Sequence, residues 1–312
     1  MGEVVTVLGF GAVGRASVAA LVRTSRQVIV CQRTRPVDLP EGVAFRACDV
    51  LDAQSVASAV QGSAQVVLAI GFAYRTSVWR EAWPRAMANV LDACARARAR
   101  LVFIDNLYMY GPQREPLRED MPLSGGEGKP AVRAAVTRQW LAAAHSGRVK
   151  VTALRAPDFY GPGVRLSHLG DAGFAALAAG RRAWLLAPPD MPHDFAYVPD
   201  IARAVCTLLD APDELYGTAW HVPCAPTRTP REILALGATA LGQRLRLSAV
   251  PLGLARPLGV ASPFMREFSE MAFTFDRPYR VDSGRFSRQF WSDATPFEVG
   301  AAATARSFLP AR

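Results

Sequence analysis

Lysine is nearly absent. Of the 36 cationic residues only Lys129 and Lys150 are lysines. The net charge of +9 would suit a polyanionic partner. The arginines, however, are scattered (Arg23, Arg133, Arg181, Arg244), and no helix-turn-helix or RNA-binding signature accompanies them, so nucleic acid is not an expected partner. Arg96, Arg98 and Arg100 close a helical pattern and read as a solvated helix end, where cations suit the dipole. No apolar run approaches the roughly 20 residues of a membrane span, so no membrane is expected. The five cysteines (Cys31, Cys48, Cys94, Cys206, Cys224) form no CxxC pair and read as reduced thiols of a cytoplasmic protein. The four histidines lack ligand spacing, so no metal site is expected. No basic leader precedes the first apolar run, which argues against a secretory signal. Thr6 lies inside that run, which argues against lipid attachment at Gly2.

Half of the 312 residues are apolar and a fifth are charged, the balance of a globular chain with a large core. Short apolar runs alternate with helical patterns. Strands are expected at residues 4–8, 28–31, 43–45, 66–70, 101–104 and 149–154; helices are expected at 15–23, 54–60, 79–98 and 130–144. That alternation predicts an α/β fold, a doubly wound and mostly parallel Rossmann sheet. After Gly163 the rhythm weakens and proline becomes frequent. A helix is expected over 199–209, and another starting at Pro230 behind Thr229 as N-cap. Residues 1–165, with a return segment at about 193–225, read as the dinucleotide-binding domain, and 166–312 as mainly a smaller substrate-binding domain. Residues 263–275, rich in aromatics and methionine, read either as a lid or as helix packing.

The segment from Gly9 to Gly14 matches GxGxxG between a strand and a helix, the context that gives the motif meaning. Gly9 permits the turn, Gly11 lets backbone approach a pyrophosphate, and Gly14 lets helix pack on strand. Ala12 and Val13 belong to the loop just before the expected helix, whose N-terminus favours phosphate. The second strand ends in Arg33-Thr34, where an NAD site would carry an acid, and Arg33 can pair with a 2′-phosphate. The expected cofactor is therefore NADP(H) rather than NAD(H), with Arg15 and Arg35 as secondary contacts. Asp49 and Val50 follow the third strand and either meet the adenine or, for Asp49, cap a helix. Ala69, Ile70 and Gly71 at the fourth strand's end, and Pro157, complete the expected cofactor set.

Four segments in order resemble the extended, epimerase/dehydratase-like branch of the short-chain dehydrogenase/reductase superfamily. They are the glycine loop, Phe103 to Gly111, Leu154 to Gly163, and His193 to Ala202. The resemblance covers about the first 225 residues. It implies a Ser/Thr, a Tyr and a Lys in the active site, the last two as YxxxK. Asn106 falls at the Ser/Thr position, Lys129 at the Tyr position and Arg133 at the Lys position, and no tyrosine occurs between Tyr110 and Tyr160. The family's proton relay is therefore missing, whereas the cofactor site is intact.

The expected function is that of an atypical ketoreductase, an NADPH-dependent oxidoreductase reducing a ketone or quinone-like carbonyl of an apolar small molecule. Asn106, Lys129 and Tyr108 are its candidate catalytic groups. Lys129 precedes a proline and reads equally as a surface residue. Tyr74, Tyr110, Tyr160 and His193 are the candidate substrate contacts, with Phe72, Trp79, Trp184 and Phe195 as aromatic lining or core. The alternatives are a non-catalytic NADP(H)-binding sensor or scaffold, and a sugar-nucleotide epimerase or dehydratase. The helices over 79–98 and 130–144 occupy the places where the resemblance implies a homodimer interface, and their Ala-rich faces suit a monomer's core as well.

Overall fold

The computed structural model describes residues 2–254 and 262–310. Its main sheet has seven strands: β1 (Val4–Leu8), β2 (Gln27–Gln32), β3 (Ala44–Ala47), β4 (Gln65–Leu68), β5 (Arg100–Asp105), β6 (Val151–Arg155) and β10 (Ala219–His221). They lie in the order β10-β6-β5-β4-β1-β2-β3, and β1–β2, β2–β3, β1–β4, β4–β5 and β5–β6 all pair in parallel. The chain runs outward from β1 to β3, then returns to lay β4 on the other side of β1. That reversal is the switch point at which open α/β sheets bind ligands.

Two compact units can be distinguished: residues 1–109, 122–155 and 201–220 form one, and 110–121, 156–200 and 221–312 the other. The first unit carries α1 (Ala12–Leu21), α2 (Ala53–Val60), α3 (Thr76–Ala97), α4 (Gly128–His145) and most of α6 (Val198–Asp210). Its central strands are covered on both faces, which is why they read as unbroken apolar runs. Val66, Leu68, Trp83, Met87, Phe103 and Trp140 form the heart of its core. Two of its buried polar side chains find partners across the core: Thr6 Oγ1 lies 2.6 Å from Ser63 Oγ, and Gln65 Nε2 donates to Leu209 O at 2.8 Å.

The second unit holds two small parallel pairs, β7 (Phe159–Tyr160) with β9 (Ala196–Tyr197) and β8 (Ala183–Leu185) with β11 (Leu247–Ala249). It also holds the short α5 (Ala176–Ala178) and α7 (Pro230–Ala240). Thr229 caps α7 in a full capping box with Glu232, and Pro230 opens the helix. Phe174, Leu177, Phe195, Ile233, Leu234 and Phe297 pack together here. A helix at Pro263–Glu270 buries Met265 and Phe268 beside Ala187 and Phe275, so residues 263–275 are helix packing. Trp184 is 54% exposed on β8 and is not part of the core.

Helices start up to three residues before the sequence pattern indicates: α1 begins at Ala12 and α3 at Thr76. Their N-caps, Gly11 and Arg75, make no side-chain capping bond, so no capping residue announces them. Arg96 and Arg98 are exposed at the end of α3, as a solvated helix end requires, and Arg100 departs from that reading. Arg98 is the left-handed C-cap of α3, with φ at 53°. Arg100 lies in β5 and donates to the carbonyls of Leu209 and Ala211. All five cysteines are free thiols, three of them buried.

Candidate functional site

β1 delivers the chain into the glycine loop. Gly9 has φ at +99°, and a Cβ there would fall 2.5 Å from the Ala69 carbonyl oxygen. A Cβ on Gly14 would fall 2.2 Å from the Gly9 oxygen. Packing alone therefore demands glycine at both positions. Gly11 is different: a Cβ there would meet nothing within 4 Å. Its smallness leaves open space at the start of α1, where Ala12 and Val13 take the first two helical positions. Their N–H groups have no partner inside the helix, and the dipole turns its positive end to the same place. A pyrophosphate fits these donors and this gap.

A cavity of about 460 Å3 opens beside the loop, lined by residues 9–11, 31–34, 48–51 and 69–72. It brings together Gly9, Gly11, Arg33, Thr34, Asp49, Val50, Ala69, Ile70 and Gly71 from four separate strand ends. Gln32 Nε2 donates to Thr34 O at 2.7 Å and turns the chain there. Asp49 Oδ1 accepts from Leu51 N at 2.9 Å, a local turn, whereas Asp52 caps α2 by accepting from Ser55 N. The helix-cap reading thus belongs to Asp52, and Asp49 stays in the cavity wall. Pro157 lies in the other unit, outside this lining.

The candidate catalytic groups gather around the C-terminal end of β5 and the start of α4. Asn106 Oδ1 accepts from Tyr108 N at 3.1 Å, which fixes the amide and leaves its NH2 end as the donor. Tyr108 stacks on Trp79 at 6.1 Å between centroids. Lys129 is fully buried as the second residue of α4, not on a surface loop. Its Nζ donates to Thr76 Oγ1 at 2.9 Å and lies 4.5 Å from the centre of the Tyr74 ring. Tyr74 itself is 38% exposed. Arg133, one turn further on, is also buried. It donates to Asp105 Oδ1, and its guanidinium is boxed by Trp83 at 4.1 Å, Phe103 at 5.1 Å and Trp79 at 6.0 Å. Asp105 also has Arg155 Nε 3.7 Å from Oδ2 and accepts from Asn106 N. Arg133 therefore braces the strand end that carries Asn106. Asp105 and Arg155 escaped the sequence reading because single charged residues at strand ends carry no local signal.

In the second unit Tyr110 and Tyr160 are both buried. Tyr110 Oη is 2.9 Å from His221 Nε2, and Tyr160 packs among Phe174, Tyr197 and Phe297. His193 is buried, with Nε2 3.0 Å from Asp158 Oδ2 and its ring against Phe195, Phe275 and Tyr279. Burial pushes the Asp158 carboxyl up, but the His193 hydrogen bond and, in acid where the rings are protonated, the pull of the His193 and His168 imidazoles outweigh it, leaving the group below the usual carboxylate range. Desolvation holds His168 down at about 4, against the pull of Asp158. His168 is therefore neutral in the folded protein where the unfolded chain would already bind a proton. Stability is full above the imidazole's ordinary value of 6.5 and falls as pH drops from there toward 4. In urea titrations at pH 7 and pH 5, His168→Gln is expected to lose less stability between the two than the wild type. An equal loss would contradict this reading. Among the described residues no group of three His, Cys, Asp or Glu side chains could hold a metal ion. No helix there is long and apolar enough to cross a membrane.

The chain matches the model of the NAD dependent epimerase/dehydratase family over residues 5–222. It belongs to that family. No curated protein sequence matches it significantly. Solved structures share its fold. A Thermus thermophilus UDP-glucose 4-epimerase in complex with NAD is 22% identical, with 99% of this chain and 100% of that one covered and a TM-score of 0.76. The Bordetella bronchiseptica enzyme WbmH in complex with NAD+ is 17% identical over 99% and 98%, with a TM-score of 0.75. A dTDP-glucose 4,6-dehydratase from Streptomyces venezuelae, also with NAD bound, is 20% identical over 98% and 97%, with a TM-score of 0.77. The expectation of an NADPH-dependent ketoreductase is corrected by these findings, which favour the epimerase/dehydratase alternative. The chemical difference is one of balance: epimerisation and dehydration leave the substrate with no net reduction, so no reductant is consumed.

Proposed function

We propose that this chain is a nicotinamide-dinucleotide-dependent enzyme that epimerises or dehydrates a sugar nucleotide. The observation carrying the proposal is the groove at the switch point, where Gly11 leaves room at an uncapped helix N-terminus beside Arg33, Thr34 and Asp49. Gly9, Gly11, Ala12 and Val13 would hold the pyrophosphate, Asp49 and Val50 the adenine edge, and Ala69 to Gly71 the floor. Arg33 and Thr34 stand where an NAD-preferring site would carry an acid, which supports NADP(H). The structures of like fold quoted above carry NAD, so both dinucleotides belong in every assay. A bound nicotinamide supplies a hydride acceptor that can also return the hydride.

The protein's part is then to position a carbinol and move its proton. Asn106 donates from its amide to the substrate oxygen, and Lys129 Nζ, held by Thr76 beneath Tyr74, carries the proton in place of a tyrosine. Incubation with UDP-glucose, UDP-glucuronic acid or dTDP-glucose and either oxidised dinucleotide, followed by proton NMR, is expected to yield an epimer or a 4-keto-6-deoxy sugar. Lys129→Ala is expected to lose roughly 100-fold or more in turnover while still binding cofactor. A second reading, dinucleotide binding without turnover, is favoured by the lack of any tyrosine between Tyr110 and Tyr160. Cofactor binding with no product from any of these sugars would favour it over the first.

A further inference from the structure

The end of the groove that would meet the adenosine ribose holds two arginines in different states. Arg33 lines the cavity, and among the described residues no carboxylate pairs with it. Arg15 projects from the first turn of α1, its guanidinium 4.4 Å over the ring of Phe10, which lines the same cavity. Arg15 Nη1 donates to Asp38 Oδ2. Asp38 is the first acidic residue after β2 and comes six positions beyond Gln32.

We propose that Asp38 is an internal stand-in for a ligand phosphate, occupying Arg15 and thereby setting how strongly the groove prefers a 2′-phosphorylated dinucleotide. The inference rests on the reading of this groove as a nicotinamide-dinucleotide site. The chemistry is a competition. An aspartate carboxylate and a phosphate monoester offer the same guanidinium an anionic oxygen acceptor. The Arg15–Asp38 pair is exposed on both sides, 45% and 56%, so exchanging one anion for another costs little. The carboxylate nevertheless stays beside the incoming dianion and repels it. A ligand with a bare 2′-hydroxyl meets neither effect. Asp38 thus lowers the affinity for NADP(H) and barely touches that for NAD(H), moving the groove toward accepting both.

The test is calorimetric titration of the wild type, Asp38→Asn, Arg15→Ala and the double variant with NADPH and NADH. Adenosine 2′,5′-bisphosphate and AMP serve as probes that isolate the 2′-phosphate. Asp38→Asn is expected to tighten NADPH and the bisphosphate roughly fivefold and to leave NADH and AMP within about twofold. The gain is expected to be smaller in the double variant, where only the carboxylate's repulsion is left to relieve, and to shrink at about 0.5 M salt, where exposed charges are screened. An Asp38→Asn protein that binds NADPH like the wild type, or that tightens both dinucleotides equally, overturns the inference and leaves the cofactor reading standing. A wild type that binds neither dinucleotide overturns the cofactor reading, and the inference with it.

Discussion

Gly11→Asp is expected to leave the chain folded, with a melting temperature equal to or slightly above the wild type, and to weaken dinucleotide binding by roughly 100-fold or more. The two effects have separate causes. Gly11 has φ at −73° and ψ at −168°, an extended conformation open to any residue. A Cβ there meets nothing within 4 Å, so the side chain finds room. Gly11 is also the N-cap of α1, and Asp at an N-cap stabilises a helix by a few tenths of a kcal/mol over Gly. The same carboxylate sits where the pyrophosphate must approach the helix N-terminus, filling the gap and repelling the ligand. Gly14→Ala makes the opposite comparison, because its Cβ would fall 2.2 Å from the Gly9 oxygen and the fold itself must give way. Thermal melts with parallel NADPH and NADH titrations separate the two. A folded Gly11→Asp protein with wild-type affinity would mean that the glycine loop is not where the cofactor lies.

The largest expected loss of stability comes from Asp105→Ala. Asp105 is buried at the end of β5 and takes a hydrogen bond from Arg133, itself buried and walled by aromatic rings. Removing the carboxylate leaves the Arg133 guanidinium in that box without its counter-charge. Breaking a buried pair in this way costs about 3–5 kcal/mol. For a chain of this size that is a fall in melting temperature on the order of 10 °C. Asp105→Asn keeps the side-chain oxygen that accepts from the Asn106 amide and should lie between the two. A loss below about 1 kcal/mol in Asp105→Ala would show that the aromatic box alone satisfies Arg133. Asp105 also holds the strand end from which Asn106 projects, the residue proposed above to contact the substrate oxygen.

Much of the first unit was legible in the sequence because its signals are local. The parallel strands are continuous apolar runs, and the glycine loop stands between a strand and a helix. In the second unit the Thr229-Pro230-Arg231-Glu232 cap likewise writes its own geometry. Nine of the expected cofactor residues share one cavity wall, since residues at the ends of adjacent parallel strands must converge. What could not be read depends on contacts between distant residues. Lys129 looks like a loop lysine before a proline, and only the packing of Thr76 and Tyr74 over it makes it a buried group. Arg133 and Asp105 are 28 positions apart, and nothing in either neighbourhood announces the other. The pairing of Asp158 with His193 is equally invisible, as is the burial of Tyr110 and Tyr160. The reaction class is hard to read for a related reason. A missing tyrosine, taken by itself, points to different chemistry, whereas the family match rests on the pattern of residues 5–222 as a whole.

The most direct test of the central claim is titration of the purified wild-type chain with NADPH and with NADH by calorimetry. The account predicts saturable binding of at least one of them with one site per chain, NADPH the tighter, and loss of that binding in Gly11→Asp. No heat from either dinucleotide at millimolar concentration would contradict it, leaving a Rossmann fold whose groove serves some other ligand.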